Sequence, residues 1–217
     1  MMLTNTLALA GAFALSVTAA PVGQNTFKIT PDQLTSIDVK TASCNGAPFP
    51  EECADATVAA PAISTSFEKY QIKSRGAQAA LIALMVFESG SFKYNKNHFP
   101  APGRPGQGTR NMQMADFNRE YATQVLPSYT VASASVSKLV DLLNEDDALS
   151  FGSAAWFLKK KCPSSIEAGL ESGSLTGWDA YLTQCIGTTH TTDRDVAWNA
   201  AKKALNVGQY GTLPSTV

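Results

Sequence analysis

Residues 77–87 read AQAALIALMVF and run directly into ESGSFKYN at 88–95. A helix written from the first stretch is apolar on every side, which marks it as passing through the middle of a domain rather than lying on its surface. Glu88 then ends a buried helix, and Ser89-Gly90 stop it. Reading outward, the pattern stays helical, roughly over 64–73, 76–88, 115–126, 133–145, 147–161, 164–170, 175–185 and 192–206, with Ser133, Ser164, Ser174 and Thr192 as capping residues. Period-two alternation is scarce. The expected fold is therefore mostly α in a single domain, preceded by an irregular N-terminal arm and interrupted by one long loop, 89–114, dense in Gly, Pro, Asn and Arg. Loops of that length in a compact domain often carry function.

Composition narrows the partners. The 217 residues are 44% apolar, enough for one core. Charged residues make up 16% and the net charge is -1, against roughly 25% charged in ordinary soluble domains. No Lys/Arg stripe interleaved with aromatics points to nucleic acid. The run Lys159-Lys160-Lys161 suits a helix C-terminus.

The chain starts with an apolar run, Leu7 to Val17, too short to span a bilayer and followed by small residues. Residues 1–20 read as a signal peptide, although no Lys or Arg precedes the run; a buried N-terminal helix is the alternative. Residues 21–62 form the arm and 63–217 the α domain. Four cysteines without CxxC spacing fit an oxidising destination. Three connectivities are open, but Cys44 and Cys53 bracket a Pro-rich loop, and Cys162 and Cys185 end two consecutive helical patterns, so the expected pairs are 44–53 and 162–185. The two histidines, His98 and His190, are distant in sequence from the cysteines, so no metal and no cofactor are expected. The expectation is a secreted, soluble monomer.

ESGS occurs again at 171–174, but after the short, mixed SSIEAGL; that copy reads as a connector. Glu88 has the stronger setting. Apolar neighbours and the negative end of a helix dipole both raise a carboxyl pKa, as a general acid near neutral pH requires. The long loop adds Tyr94, Asn95, His98, Phe99, Arg104, Arg110 and Asn111, aromatic faces and hydrogen-bonding groups suited to a sugar chain. The alternative for His98 and Phe99 is a loop anchor, and for the arginines plain exposure. Trp156, Trp178 and Trp198 read as core.

Glu88-Ser89, then Met112-Gln113, then Ala180-Tyr181 resembles the motif order of the lysozyme-like superfamily, specifically soluble lytic transglycosylases and goose-type lysozymes; the stretch NHFPAPGRPGQGTRNMQM is similar to secreted fungal proteins of that kind. The departures are Arg110-Asn111 before Met112, a longer loop, and Leu182-Thr183 after the tyrosine. The resemblance implies a glycosidase cleaving an N-acetylated cell-wall glycan, peptidoglycan first and chitin second. Glu88 would be the catalytic acid, with Ser89, Tyr94, His98, Asn111, Gln113 and Tyr181 binding substrate. Asp116, Glu120, Asp146 and Asp147 are the candidate second carboxylates. The alternative is a non-catalytic glycan-binding or effector protein.

Overall fold

The computed structural model describes residues 27–208; the expected signal peptide lies outside them. The arm holds helix α1 (Pro31–Ile37), closed at its start by a reciprocal Thr30–Gln33 capping box, and two 3₁₀ turns, Val39–Ala42 and Pro50–Glu52. Helix α2 (Ala56–Lys69) starts eight residues before the expected boundary. Asp55 Oδ1 caps it by accepting from the Thr57 and Val58 amides at 2.9 and 3.2 Å, and Pro61 is accommodated inside it.

Helix α3 (Arg75–Glu88) is the axis of the fold. Every residue from Gly76 to Val86 is buried, as the unbroken apolar run predicts. Then come α4 (Ala115–Val125), α5 (Ser128–Ser133), α6 (Val136–Asn144), α7 (Asp147–Lys161), α8 (Ser164–Leu170), α9 (Leu175–Ala180), a π-helical turn (Tyr181–Ile186) and α10 (Thr192–Ala204). The helix expected over 133–145 starts only at Val136, because Ala134 is extended and Ser135, rather than Ser133, caps it by accepting from Lys138 N at 3.2 Å; the short α5 before it is absent from the expected pattern. Ser164 and Thr192 are first helical residues, not caps. Among the described residues the only β features are isolated bridges in the long loop, Lys96 with Gly108 and Gly108 with Gln113.

Helix α2 lies along α7, and α3 along α10. All three tryptophans are buried, with Trp178 and Trp198 stacked at 5.0 Å. The disulfides are Cys44–Cys53 and Cys162–Cys185, the expected pairs. Among the described residues no helix is long and apolar enough to cross a membrane.

Burial pushes the phenols of Tyr121 and Tyr181 far above their usual range and that of Tyr70 upward; for Tyr181 the charge of Glu88 adds to the effect. An unfolded phenol ionises near pH 10, so above that pH the unfolded chain holds fewer protons than the folded one and stability falls as pH rises. Each phenol kept neutral contributes about 1.4 kcal/mol per pH unit to that fall. Arg110, whose pKa burial lowers to about 10, acts in the opposite sense, but as one group against Tyr121 and Tyr181. Urea midpoints measured from pH 8 upward should therefore drop beyond about pH 10, with part of the tyrosinate absorbance appearing only on unfolding.

Candidate functional site

The last turn of α3 opens the wall of the domain. Three residues in a row, Gly90, Ser91 and Phe92, are left-handed (φ 56, 61 and 65°), and Thr109 and Met112 repeat that conformation at 61 and 50°. For non-glycine residues this costs about 1–2 kcal/mol each, so the surroundings must enforce it. Phe92 is fully buried edge-on to Phe151, its amide donates to Ser89 Oγ at 3.0 Å, and its carbonyl accepts from Ala54 N and Arg110 Nη1, both at 3.0 Å.

Arg110 is buried rather than exposed. It donates to the Phe92 and Tyr94 carbonyls, lies 4.9 Å from the Phe151 ring centre and 3.6 Å from Asp147. It thus pins both limbs of the long loop, which carries two cavities on its outer side. One, of about 330 Å³, is walled by Met112, Met114, Phe117, Phe157 and Ile186. The other, of about 320 Å³, is lined by Tyr94, Asn97, His98 and Phe99. Glu88, Gln107 and Met112 belong to both, so the two join as one groove with Glu88 where they meet.

Glu88 is not the unpaired carboxyl that its helix suggests. Arg194, in the first turn of α10, donates to Glu88 Oε1 at 2.6 Å and to Thr188 Oγ1 at 3.1 Å, with its guanidinium 4.2 Å from the Phe87 ring centre. The pair is three-quarters or more shielded. His190 holds the preceding loop: Nδ1 meets Asp179 at 3.0 Å and Nε2 meets Asp195 at 2.8 Å. Its pKa is raised by Asp195 first and Asp179 second. Protonation therefore strengthens this tie; its contribution is present in full below the unfolded value and lost as pH rises through the higher folded one.

The structure brings Glu88, Asn111 and Gln113 to one cavity and Tyr94 and His98 to the adjoining one. Asn111 and Gln113 are themselves almost buried, tied into a chain in which Asn111 Nδ2 donates to Gln113 Oε1 and Gln113 Nε2 to Asn118 Oδ1. Ser89 is no ligand-binding residue: it is fully buried and donates to Met85 O at 2.6 Å. Tyr181 is also sealed in the core, its hydroxyl without a partner among the described residues. Three of the candidate second carboxylates are engaged elsewhere: Asp146 caps α7, Asp147 faces Arg110 and Glu120 pairs with Lys161; Asp116 lies in the first turn of α4. Glu171 ends α8 and is exposed, the connector expected. No local pattern marks Arg194, 106 residues beyond its partner.

The fold and site thus define a helical domain with a groove of mixed polar and apolar lining and an ion pair on its floor. A Fusarium oxysporum (strain Fo5176) protein named as a bifunctional dioxygenase (DOX)-epoxy alcohol synthase (EAS) is 39% identical over an alignment of 173 residues that covers 74% of this chain and 13% of that protein. The chain therefore spans a small part of the relative's length. No family model and no solved structure matches it. The relative's name is oxidative, which overturns the expectation of a muramidase-like glycosidase. Glu-Ser and Ala-Tyr here mark how two helices end and pack, and neither Ser89 nor Tyr181 reaches the groove.

Proposed function

We propose that the groove binds an oxygenated small molecule with an apolar body, of the epoxy alcohol class in the relative's name, and that the protein does so outside the cell, a setting supported by its two disulfides. The observation that carries this reading is the Glu88–Arg194 pair on the floor of a groove in which thioether and aromatic groups stand among amide and hydroxyl side chains. An alcohol O–H donates to a carboxylate and an epoxide oxygen accepts from a guanidinium, so a ligand bearing both is complementary to the pair. Met112 and Met114 give the wall an adaptable apolar surface for a chain, and the volumes lie at the lower end for small-molecule sites.

Oxygenation itself calls for a metal or an organic cofactor. Among the described residues no group of three or more His, Cys, Asp or Glu gathers to hold a metal, and both nitrogens of His190 are engaged by carboxylates. This donor set does not fit a resident metal centre, and the reading is one of binding the oxygenated compound rather than forming it.

Calorimetric titration tests it with a long-chain epoxy alcohol and the same chain lacking oxygen. The oxygenated ligand should bind at least about tenfold tighter, and Arg194→Gln should weaken it by about 10- to 100-fold, the value of one or two charge-assisted hydrogen bonds. Equal affinities for the two ligands, or an unaffected variant, would sink the reading.

A further inference from the structure

The end of the groove away from Arg194 holds a second arrangement. Glu52, on the disulfide-closed loop of the arm, is a buried carboxylate. Its Oε2 accepts from the Asn95 and Lys96 amides at 3.1 and 3.3 Å, and its Oε1 lies 2.9 Å from His98 Nε2. Lys96 Nζ stands 3.7 Å from it. Two backbone donors and a cation call for the ionised carboxylate, which in turn fixes the proton of His98 on Nε2 and leaves Nδ1 as the acceptor nitrogen. The ring cannot drift, because one face stacks on Phe49 at 3.8 Å, nearly parallel. Among the described residues Nδ1 has no hydrogen-bond partner. His98 is about one-quarter exposed and lines the same cavity as Glu88.

A carboxylate-oriented imidazole that lines a cavity and keeps one nitrogen free is an arrangement for taking a proton from water. We infer that the Glu52–His98 dyad activates a water molecule to open the epoxide of a ligand bound in this groove, so that the protein hydrates an epoxy alcohol to a triol. This rests on the epoxide-binding reading above. In the step, a water O–H proton passes to Nδ1 while the water oxygen forms a bond to one oxirane carbon. That carbon's bond to the oxirane oxygen breaks, and the released electron pair stays on the oxygen, which takes the proton from the imidazolium. One water is consumed, nothing is oxidised or reduced, and the dyad returns to its starting state. His98 is the catalytic residue and Glu52 the positioning one, holding the tautomer and balancing the transient positive charge.

The full-length protein, incubated with a long-chain epoxy alcohol in heavy-oxygen water, should release a product heavier by one water and carrying the heavy label, as read by mass spectrometry. His98→Gln should slow this by about 100-fold or more with its circular dichroism unchanged. Glu52→Gln should shift the His98 tautomer seen by nitrogen NMR, a readout that a purely structural role would not move. Binding without conversion by the wild type would overturn this inference and leave the binding reading intact; neither binding nor conversion would overturn both. Conversion at an equal rate by His98→Gln would remove the dyad from the reaction.

Discussion

Arg110→Ala is expected to lower the unfolding free energy by about 3 kcal/mol, a midpoint drop of roughly 6–12 °C for a domain of this size. Three losses contribute. The Phe92 and Tyr94 carbonyls lose a charged donor, Phe151 loses the cation above its ring, and a fully enclosed side chain leaves a void. Removing a desolvated charge offsets part of this, since burial already lowers the guanidinium pKa to about 10. The effect reaches the groove, because Phe92 and Met112, both in left-handed conformations, sit on the two limbs that Arg110 ties together. Arg110→Met, which fills the space but cannot donate, should lose about half as much by the same reasoning. Thermal melts of the two variants check the ratio, and equal, small losses would show that the loop holds itself.

Gly76→Ala should be at least as damaging, against the sign that helix propensity alone gives. In an isolated helix the change gains about 1 kcal/mol. Here a Cβ would stand 1.9 Å from Leu170 O and 2.9 Å from Glu171 O. Both are backbone atoms at the end of α8, so no rotamer change relieves the overlap. Helix α3 would have to move away from α8, disturbing an interior packed on all sides, at a cost of about 3 kcal/mol or more. Denaturant midpoints decide the sign directly: a more stable alanine variant would mean that α3 and α8 do not meet as closely as described.

The features legible in the sequence were those written locally. The apolar run at 77–87 announces a central helix, the spacing of the cysteines announces both disulfides, and the contrast between AQAALIALMVF and SSIEAGL separates two identical ESGS tetrapeptides. What stayed hidden depends on distant partners. Arg194 reads as a helix-surface arginine until the fold sets it on Glu88. Arg110 reads as a loop charge until the two limbs close around it, and Glu52 as one of two acidic residues before a cysteine until it is seen inside the long loop. Helix boundaries failed where a single cap decided them, as with Asp55 starting α2 ahead of the expected boundary, and Ser135 restarting the chain after Ala134. Tyr181 illustrates a different limit. Its Ala-Tyr motif marks a position in a helix, but the π-helical turn that begins there puts the ring in the core.

The burial of α3 on every side sets the groove's floor and walls on different clocks. Amides enclosed from Gly76 to Val86 can meet solvent only when the whole domain opens, so their hydrogen exchange reports global unfolding. Glu88 hangs from the last turn of that helix and inherits its stillness. The opposite wall, from Ile186 to Thr188, belongs to a short π-helical turn and the loop after it, held by His190 and one disulfide, and should exchange through local openings far more often. A ligand entering the groove would thus meet one fixed electrostatic floor and one wall able to part, which places the adjustment to ligand shape in the segment 186–191 rather than at the ion pair.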